Sequence, residues 1–153
     1  HLLSRRQRQM CIRDSPYITT NASKIKWQLD DGMDYMLPNL LSDITLEYDN
    51  KVLIIDAKYY SHIMQNRYEK ETIRSANMFQ IFTYVKNKEA ELKDKPHEVA
   101  GMLLYAQTDN GTQPEYRYQM SGNMISVKTL NLNCDFEDIR RQLDSIITDY
   151  FKL

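Results

Sequence analysis

The feature that most constrains the fold of this chain is a short apolar run that ends in charged residues. Residues 52–55 read Val-Leu-Ile-Ile and lead directly into Asp56-Ala57-Lys58. Four consecutive apolar residues predict a strand that is buried on both faces of a sheet. Because alternate residues of a strand share a face, Asp56 and Lys58 should point the same way. Charged groups beside a hydrophobic strand cost free energy unless they bind something, so this strand end is a candidate functional site.

A second acidic residue, Asp43, lies upstream of this strand. It opens the segment Asp43–Tyr48, which is followed by Asp49-Asn50 and then by residues 51–59. Two turn-forming residues between two apolar segments are a signal for a tight β-hairpin. Such a hairpin would bring Asp43 towards Asp56 on the neighbouring strand.

This pair of acids has the chemistry of a divalent-metal site. Mg²⁺ prefers hard oxygen ligands and uses one or two carboxylates, keeping its other positions for water and phosphate. Asp43 and Asp56 fit that role, the backbone carbonyl of Ala57 is a further candidate ligand, and Mn²⁺ is an alternative ion. Lys58 would lie near the attacking water, where it could orient or deprotonate the water or stabilise charge in the transition state. The arrangement is therefore a candidate site for phosphodiester hydrolysis.

The spacing of Asp56 and Lys58 is not specific by itself. An acid two residues before a lysine also occurs at Asp49 and at Glu91, where a turn and a solvated stretch are expected. Only the triplet at Asp56 ends a buried strand with another acid upstream. The structural alternative is a plain ion pair between Asp56 and Lys58 at the strand end.

A long helix is predicted after this strand. Residues 67–92 contain no Gly or Pro, and their apolar residues recur at helical spacing. Gln80 and Tyr84 are four residues apart and should therefore lie on one face of the helix. A buried glutamine needs hydrogen-bond partners, and a metal-bound water or a phosphate would serve. Gln80 and Tyr84 are the remaining candidate site residues.

The rest of the pattern predicts a mixed sheet flanked by helices. Asp135 can cap a last helix. This helix carries an apolar stripe made of Phe136, Ile139, Leu143, Ile146, Ile147 and Tyr150. Because strands and helices alternate after an early hairpin, the fold class is α/β. Further strands are expected at residues 24–29, 99–106, 116–120 and 125–130, turns at 30–32, 109–111 and 121–123, and a loop at 61–67.

Length, charge and cysteine content limit the function classes. The 153 residues suffice for one domain, and the formal net charge of −1 provides no general attraction to nucleic acid. Binding to DNA would therefore need a local patch or a partner. Cys11 and Cys134 form no disulfide or metal framework, which fits a reducing cytoplasm. No phosphate-binding loop of the P-loop type is present, so the chain alone should not hydrolyse GTP or ATP.

The first fifteen residues differ from the remainder. The chain begins with His1 rather than Met, and residues 1–15 are basic without a recognisable strand or helix cap. We expect a non-native or disordered leader here, with a basic arm for nucleic acid as the alternative. The domain itself is expected to occupy residues 16–153.

Three segments resemble a known family. They read Leu-Pro-Asn-Leu-Leu-Ser-Asp-Ile at 37–44, Ile-Ile-Asp-Ala-Lys-Tyr-Tyr at 54–60 and Gln-Ile-Phe-Thr-Tyr at 80–84. They resemble the PD-(D/E)XK nuclease superfamily, which has a restriction-endonuclease-like mixed sheet flanked by helices. More closely, they resemble the C-terminal nuclease domain of the McrC family, from the 5-methylcytosine-specific McrBC restriction systems. The resemblance runs from about Ile18 to the C-terminus.

The resemblance implies a Mg²⁺-dependent DNA endonuclease subunit. By position, Asp43 and Asp56 match the metal ligands, Lys58 the catalytic lysine, and Gln80 and Tyr84 the helix motif. The implied partner is an McrB-like AAA+ GTPase subunit that reads modified DNA and drives translocation before cleavage.

Two departures from the superfamily pattern stand out. Ser42 precedes Asp43 where the name-giving motif has Pro, and no upstream acidic residue on a first helix can be identified, since Asp34 is a poor match. The alternative function is a non-catalytic interaction domain that keeps the nuclease fold within a defence complex.

Overall fold

The structure is a computed structural model that describes residues 18–153. A six-stranded mixed sheet forms its centre. The expected leader at residues 1–15 lies outside the described residues. The strands in the described range are β1 (Thr19–Asn21), β2 (Lys24–Ile25), β3 (Leu40–Leu41), β4 (Ile44–Tyr48), β5 (Lys51–Lys58), β6 (Gln65–Arg67), β7 (Lys70–Thr72), β8 (Glu98–Ala106), β9 (Tyr116–Met120) and β10 (Asn123–Leu130). The helices are α1 (Ser75–Glu91) and α2 (Phe136–Phe151).

The sheet has the order β1-β4-β5-β8-β10-β9, so β5 and β8 are central. Strands β4 and β5 form the predicted antiparallel hairpin, in which Ile44 lies opposite Ile55. Strand β5 pairs in parallel with β8, and Lys58 lies opposite Tyr105 in that register. The carboxyl ends of β5 and β8 therefore meet at the same edge of the sheet, where Asp56 and Lys58 lie.

The two faces of β5 pack against different helices. Leu53 and Ile55 belong to a core cluster that includes the buried residues of α2. Val52 and Ile54 belong to a second cluster that includes the buried residues of α1. All four are at most 6 % exposed, so the prediction of a strand buried on both faces is confirmed.

Helix α2 forms as the sequence predicts. The Asp135 side chain accepts a hydrogen bond from the backbone N–H of Asp138 at 2.9 Å and so caps the first turn. The predicted apolar stripe packs on the sheet, except for Phe136, which is 48 % exposed. Together with α1 on the other face, this confirms the expected α/β class with a restriction-endonuclease-like mixed sheet flanked by helices.

Three sequence-based boundaries were wrong. Helix α1 begins at Ser75 and not near residue 67, because residues 65–72 form the small antiparallel hairpin β6–β7. The same hairpin replaces part of the predicted loop at 61–67. The strand expected at 24–29 pairs only at Lys24–Ile25, although burial continues to alternate through residue 29. No helix within residues 18–153 is long and apolar enough to cross a membrane.

Helix α1 packs tightly on the sheet at Gly101 of β8. A Cβ atom at this position would lie 2.7 Å from Cγ1 of Ile81 and 2.8 Å from Cγ2 of Val85. Both atoms belong to β-branched side chains, which have few alternative rotamers. The absence of a side chain at Gly101 therefore sets the distance between α1 and the sheet.

We expect Gly101→Ala to destabilise the protein by about 1–3 kcal/mol, because the added methyl group overpacks the core between β8 and α1. Urea denaturation measures the loss. The same change should cost less in a Val85→Ala background, since one of the two clashing atoms is then absent, and a double-mutant cycle detects this coupling. Equal costs in both backgrounds would contradict the proposed close packing.

Candidate active site

Asp56 and Lys58 form a buried ion pair at the end of β5. The Lys58 ammonium lies 2.8 Å from Oδ2 of Asp56, and Asp56 is only 3 % exposed. Both side chains project from the face of the sheet that α1 covers, as the alternation along β5 predicts. Oδ2 of Asp56 is fully buried, and the Lys58 ammonium is the polar group that meets it within the described residues. The ion pair is the contact that a purely structural role of Lys58 would also produce.

Asp43 lies directly before β4 and reaches across to β5. Its Oδ2 atom accepts a hydrogen bond from the backbone N–H of Ala57 at 2.9 Å. This contact places the Asp43 carboxylate beside the residue that follows Asp56. The hairpin thus brings the two predicted acids to neighbouring positions, although their sharing of one metal ion stays a prediction.

The electrostatic state of Asp56 reflects its burial. Desolvation raises the pKa of Asp56 above its ordinary value, and the nearby negative charge of Asp43 raises it further. The ion pair with Lys58 acts in the opposite direction and only partly offsets these effects. Asp56 therefore holds its negative charge at a cost in folding free energy, and a bound cation would reduce that cost.

A chain of polar contacts links Lys58 to helix α1. The Lys58 ammonium donates to Oε1 of Gln80 at 2.8 Å, and Nε2 of Gln80 donates to the hydroxyl of Tyr84 at 2.7 Å. Since an ammonium can only donate, the Gln80 oxygen must face Lys58 and its amide N–H must face Tyr84. The predicted placement of Gln80 and Tyr84 on one helix face is observed, and both residues contribute to holding Lys58.

A second network beside this one was not predicted. The Tyr60 hydroxyl donates to Oδ1 of Asn77 at 3.1 Å, and Nδ2 of Asn77 donates to the Tyr105 hydroxyl at 2.9 Å. Tyr105 lies opposite Lys58 in the sheet register and is fully buried. Asn77 is three residues before Gln80 on the same helix face, a spacing visible in the sequence. Tyr105 could be placed only once β5 and β8 were known to pair in parallel.

The structure accounts for Ser42 at the position where the superfamily motif has Pro. The backbone N–H of Ser42 donates to the carbonyl of Ser23 at 3.1 Å, which a proline could not do. Its hydroxyl lies 2.9 Å from that of the buried Thr45. In this chain the residue before Asp43 is therefore held by hydrogen bonds instead of by a proline ring.

The sequence of this chain is similar to that of a known restriction enzyme. No protein-family model matches the chain. It is 31 % identical over 147 residues to the type IV methyl-directed restriction enzyme EcoKMcrBC of Escherichia coli (strain K12). The match covers 94 % of this chain and 41 % of that relative, so the chain spans about two-fifths of the relative's length. The chain is an McrC-like domain.

The donor set of this McrC-like domain fits a magnesium ion. The Asp43 carboxylate accepts from the N–H of Ala57, the residue next to Asp56, and Oδ2 of Asp56 is buried against the Lys58 ammonium. Within residues 18–153 no group of three or more His, Cys, Asp or Glu side chains is gathered for a metal ion. Mg²⁺ needs only one or two protein carboxylates, because water and phosphate fill its remaining positions.

We expect Asp56→Asn to stabilise the metal-free domain at pH 7, because the neutral amide avoids the cost of burying a charge beside Asp43. Since the folded state raises the pKa of Asp56, its ionisation lowers stability as pH rises through the interval between the unfolded and folded pKa values. The advantage of Asp56→Asn should therefore be small near pH 4 and larger at pH 7. Thermal unfolding in EDTA at both pH values measures the difference.

Asp149→Asn provides a matched control for this substitution. The Asp149 side chain is 63 % exposed and pairs with Lys128 at 3.8 Å, so its neutralisation should leave the melting temperature nearly unchanged. A lower melting temperature for Asp56→Asn at pH 7 would mean that the Lys58 ion pair outweighs desolvation.

Proposed function

We propose that this domain is the DNA-cutting part of a modification-dependent restriction system of the McrBC type. It would hydrolyse phosphodiester bonds in DNA that carries 5-methylcytosine, with Mg²⁺ as its cofactor and an McrB-like AAA+ GTPase as its partner. The observation that carries this proposal is the buried Asp56 carboxylate, which lies against Lys58 and beside Asp43 at the exposed end of a central strand. A buried charged cluster of this kind costs folding free energy when its role is only structural. The same cluster is useful when it takes part in catalysis.

Asp43, Asp56 and the carbonyl of Ala57 would hold the Mg²⁺ ion. When bound, the ion would supply charge neutralisation at the phosphate and a lowered pKa for a coordinated water. The burial of Asp56 favours metal binding, because a bound cation stabilises a poorly hydrated carboxylate more than it stabilises an exposed one.

Lys58 would act on the attacking water or on the phosphate. Its ammonium has three donors, of which one is directed to Gln80 and another contacts Asp56. The remaining donor can orient a water or stabilise charge that develops on the phosphate oxygens. Gln80 and Tyr84 are positioning residues in this scheme, because they hold the ammonium in place through consecutive hydrogen bonds.

The proposed partner follows from charge and from the relative. The net charge of −1 gives the chain little general attraction to DNA phosphates. The name of the similar enzyme describes it as methyl-directed. A separate subunit would therefore supply most of the affinity for DNA and the recognition of the modified base. It would also supply GTP hydrolysis, for which this sequence contains no P-loop.

Asp56→Asn should fold normally and abolish divalent-dependent cleavage of methylated plasmid DNA by the complex reconstituted with an McrB-like GTPase. The substitution removes charge at the metal site but little volume. Addition of EDTA to the wild-type complex should have the same effect, and Asp149→Asn should cut normally. Cleavage by Asp56→Asn at the wild-type rate would show that the site is assigned incorrectly, and the protein would then be better described as a non-catalytic interaction domain.

Lys58→Ala should separate metal binding from chemistry. The ammonium competes with a divalent cation for the charge of Asp56, so its removal should leave Mg²⁺ or Mn²⁺ affinity equal or higher in calorimetric titration. Cleavage by the complex should fall about 100-fold or more, as expected for loss of one group that stabilises the transition state. Weaker metal binding together with unchanged cleavage would refute the role given to Lys58.

A further inference from the structure

The hairpin β6–β7 projects from the protein between the strand and the helix that carry the candidate site. Its two strands pair only with each other, and residues 66–72 are all exposed. Tyr68 at its tip is 97 % exposed, which is unusual for a large aromatic side chain. Three paired residues on each strand give the hairpin a length of about 10 Å.

The turn of this hairpin is built from unfavourable residues. Tyr68 and Glu69 have φ values of 49° and 63°, as a turn of this kind requires, but neither residue favours positive φ. The β9–β10 hairpin of the same chain makes its turn with Ser121 and Gly122, at φ values of 49° and 87°. There a glycine occupies one of the two strained positions. The presence of tyrosine at the tip of β6–β7 is therefore not explained by turn stability.

The charges next to the tip are also unfavourable. Arg67 and Lys70 lie directly opposite each other in the strand register. Like charges at such positions repel and destabilise a hairpin. Neither side chain forms an ion pair with an acidic residue in the described part of the chain. Glu69 in the turn and Glu71, which accepts a hydrogen bond from Thr112, balance this charge over the whole hairpin. The match to a nucleic acid is therefore local and consists of two facing cations beside an exposed aromatic ring.

The base of the hairpin is fixed to the candidate site. Ile63 is 2 % exposed and packs in the core cluster that also contains Tyr84 and Tyr105. Arg74 donates to the carbonyl of His62 at 2.8 Å, and its guanidinium carbon lies 4.4 Å from the centre of the Tyr60 ring. The base of the hairpin is thus held in place relative to the strand and the helix that carry the site.

We propose that the β6–β7 hairpin is a DNA-contacting element that positions the substrate at the candidate site. Arg67 and Lys70 bind backbone phosphates, and the ring of Tyr68 stacks on a base close to the bond that is cut. The inference rests on the proposed nuclease function, and it adds to that function the surface that holds DNA. Repulsion between Arg67 and Lys70 is reduced when DNA is bound, since phosphates neutralise both cations.

Tyr68→Asn tests the role of the ring, because asparagine tolerates positive φ and should leave the hairpin equally or more stable. We expect about 10-fold weaker binding of this variant to a fluorescein-labelled duplex with a single-stranded gap, whose unpaired bases are free to stack on the ring, measured by anisotropy in EDTA at low salt. Tyr116→Asn is the matched control, since Tyr116 is 45 % exposed on the strand at the far edge of the sheet. Binding of Tyr68→Asn equal to that of wild type would overturn the inference.

The double variant Arg67→Gln/Lys70→Gln tests the phosphate contacts. Its melting temperature should not fall, and the slope of log affinity against log salt concentration should decrease by about 2. An unchanged slope would mean that these cations do not contact phosphates. Loss of assembly with the GTPase subunit in size-exclusion chromatography, with DNA binding intact, would show that the hairpin contacts protein and would also overturn the inference.

These measurements separate the inference from the proposed function. Binding is measured in EDTA, so it reports on the hairpin even if the complex never cuts. If the wild-type complex cuts DNA and the hairpin variants bind and cut DNA normally, only the hairpin inference is overturned. If the wild-type complex does not cut DNA but the hairpin variants bind DNA more weakly than wild type, the nuclease proposal is overturned. The hairpin is then still supported as a DNA contact.

Discussion

Helix α1 packs on the central sheet so closely that Gly101 leaves no room for a Cβ atom beneath Ile81 and Val85. The candidate site depends on this contact, because the helix carries Gln80 and the strand next to Gly101 carries Lys58. At the observed separation the Gln80 amide reaches the ammonium at 2.8 Å. A shift of the helix by the thickness of one methyl group would lengthen that hydrogen bond beyond its useful range. Core packing and site geometry are thus set by the same contact.

The second constraint is the burial of charge at the end of β5. Asp56 is almost completely removed from water, and desolvation raises the pKa of its carboxyl group despite the ammonium of Lys58 at 2.8 Å. A fold selected only for stability would place an apolar residue here, since a buried ion pair seldom exceeds its desolvation cost. The hairpin tip at Tyr68 shows a similar conflict between local preference and observed structure. Such conflicts tend to mark functional positions.

Sequence reasoning located the elements whose pattern is local and strong. Asp49-Asn50 predicted the β4–β5 hairpin, Asp135 predicted the cap of α2, and the apolar run before Asp56 predicted a strand buried on both faces. It placed the start of α1 about eight residues too early, because residues 67–72 contain no helix-breaking residue. Their pairing as a hairpin is stabilised by tertiary anchors such as Ile63, which propensity alone does not reveal.

The sequence by itself determined that Asp56 and Lys58 share a face and that Gln80 and Tyr84 share another, because both follow from the periodicity of a single element. Only the tertiary structure decided that these two faces meet. That outcome depends on the parallel pairing of β5 with β8, on the missing side chain of Gly101 and on the β4–β5 register that brings Asp43 to the N–H of Ala57. These are contacts between residues far apart in the chain, and local pattern carries no information about them.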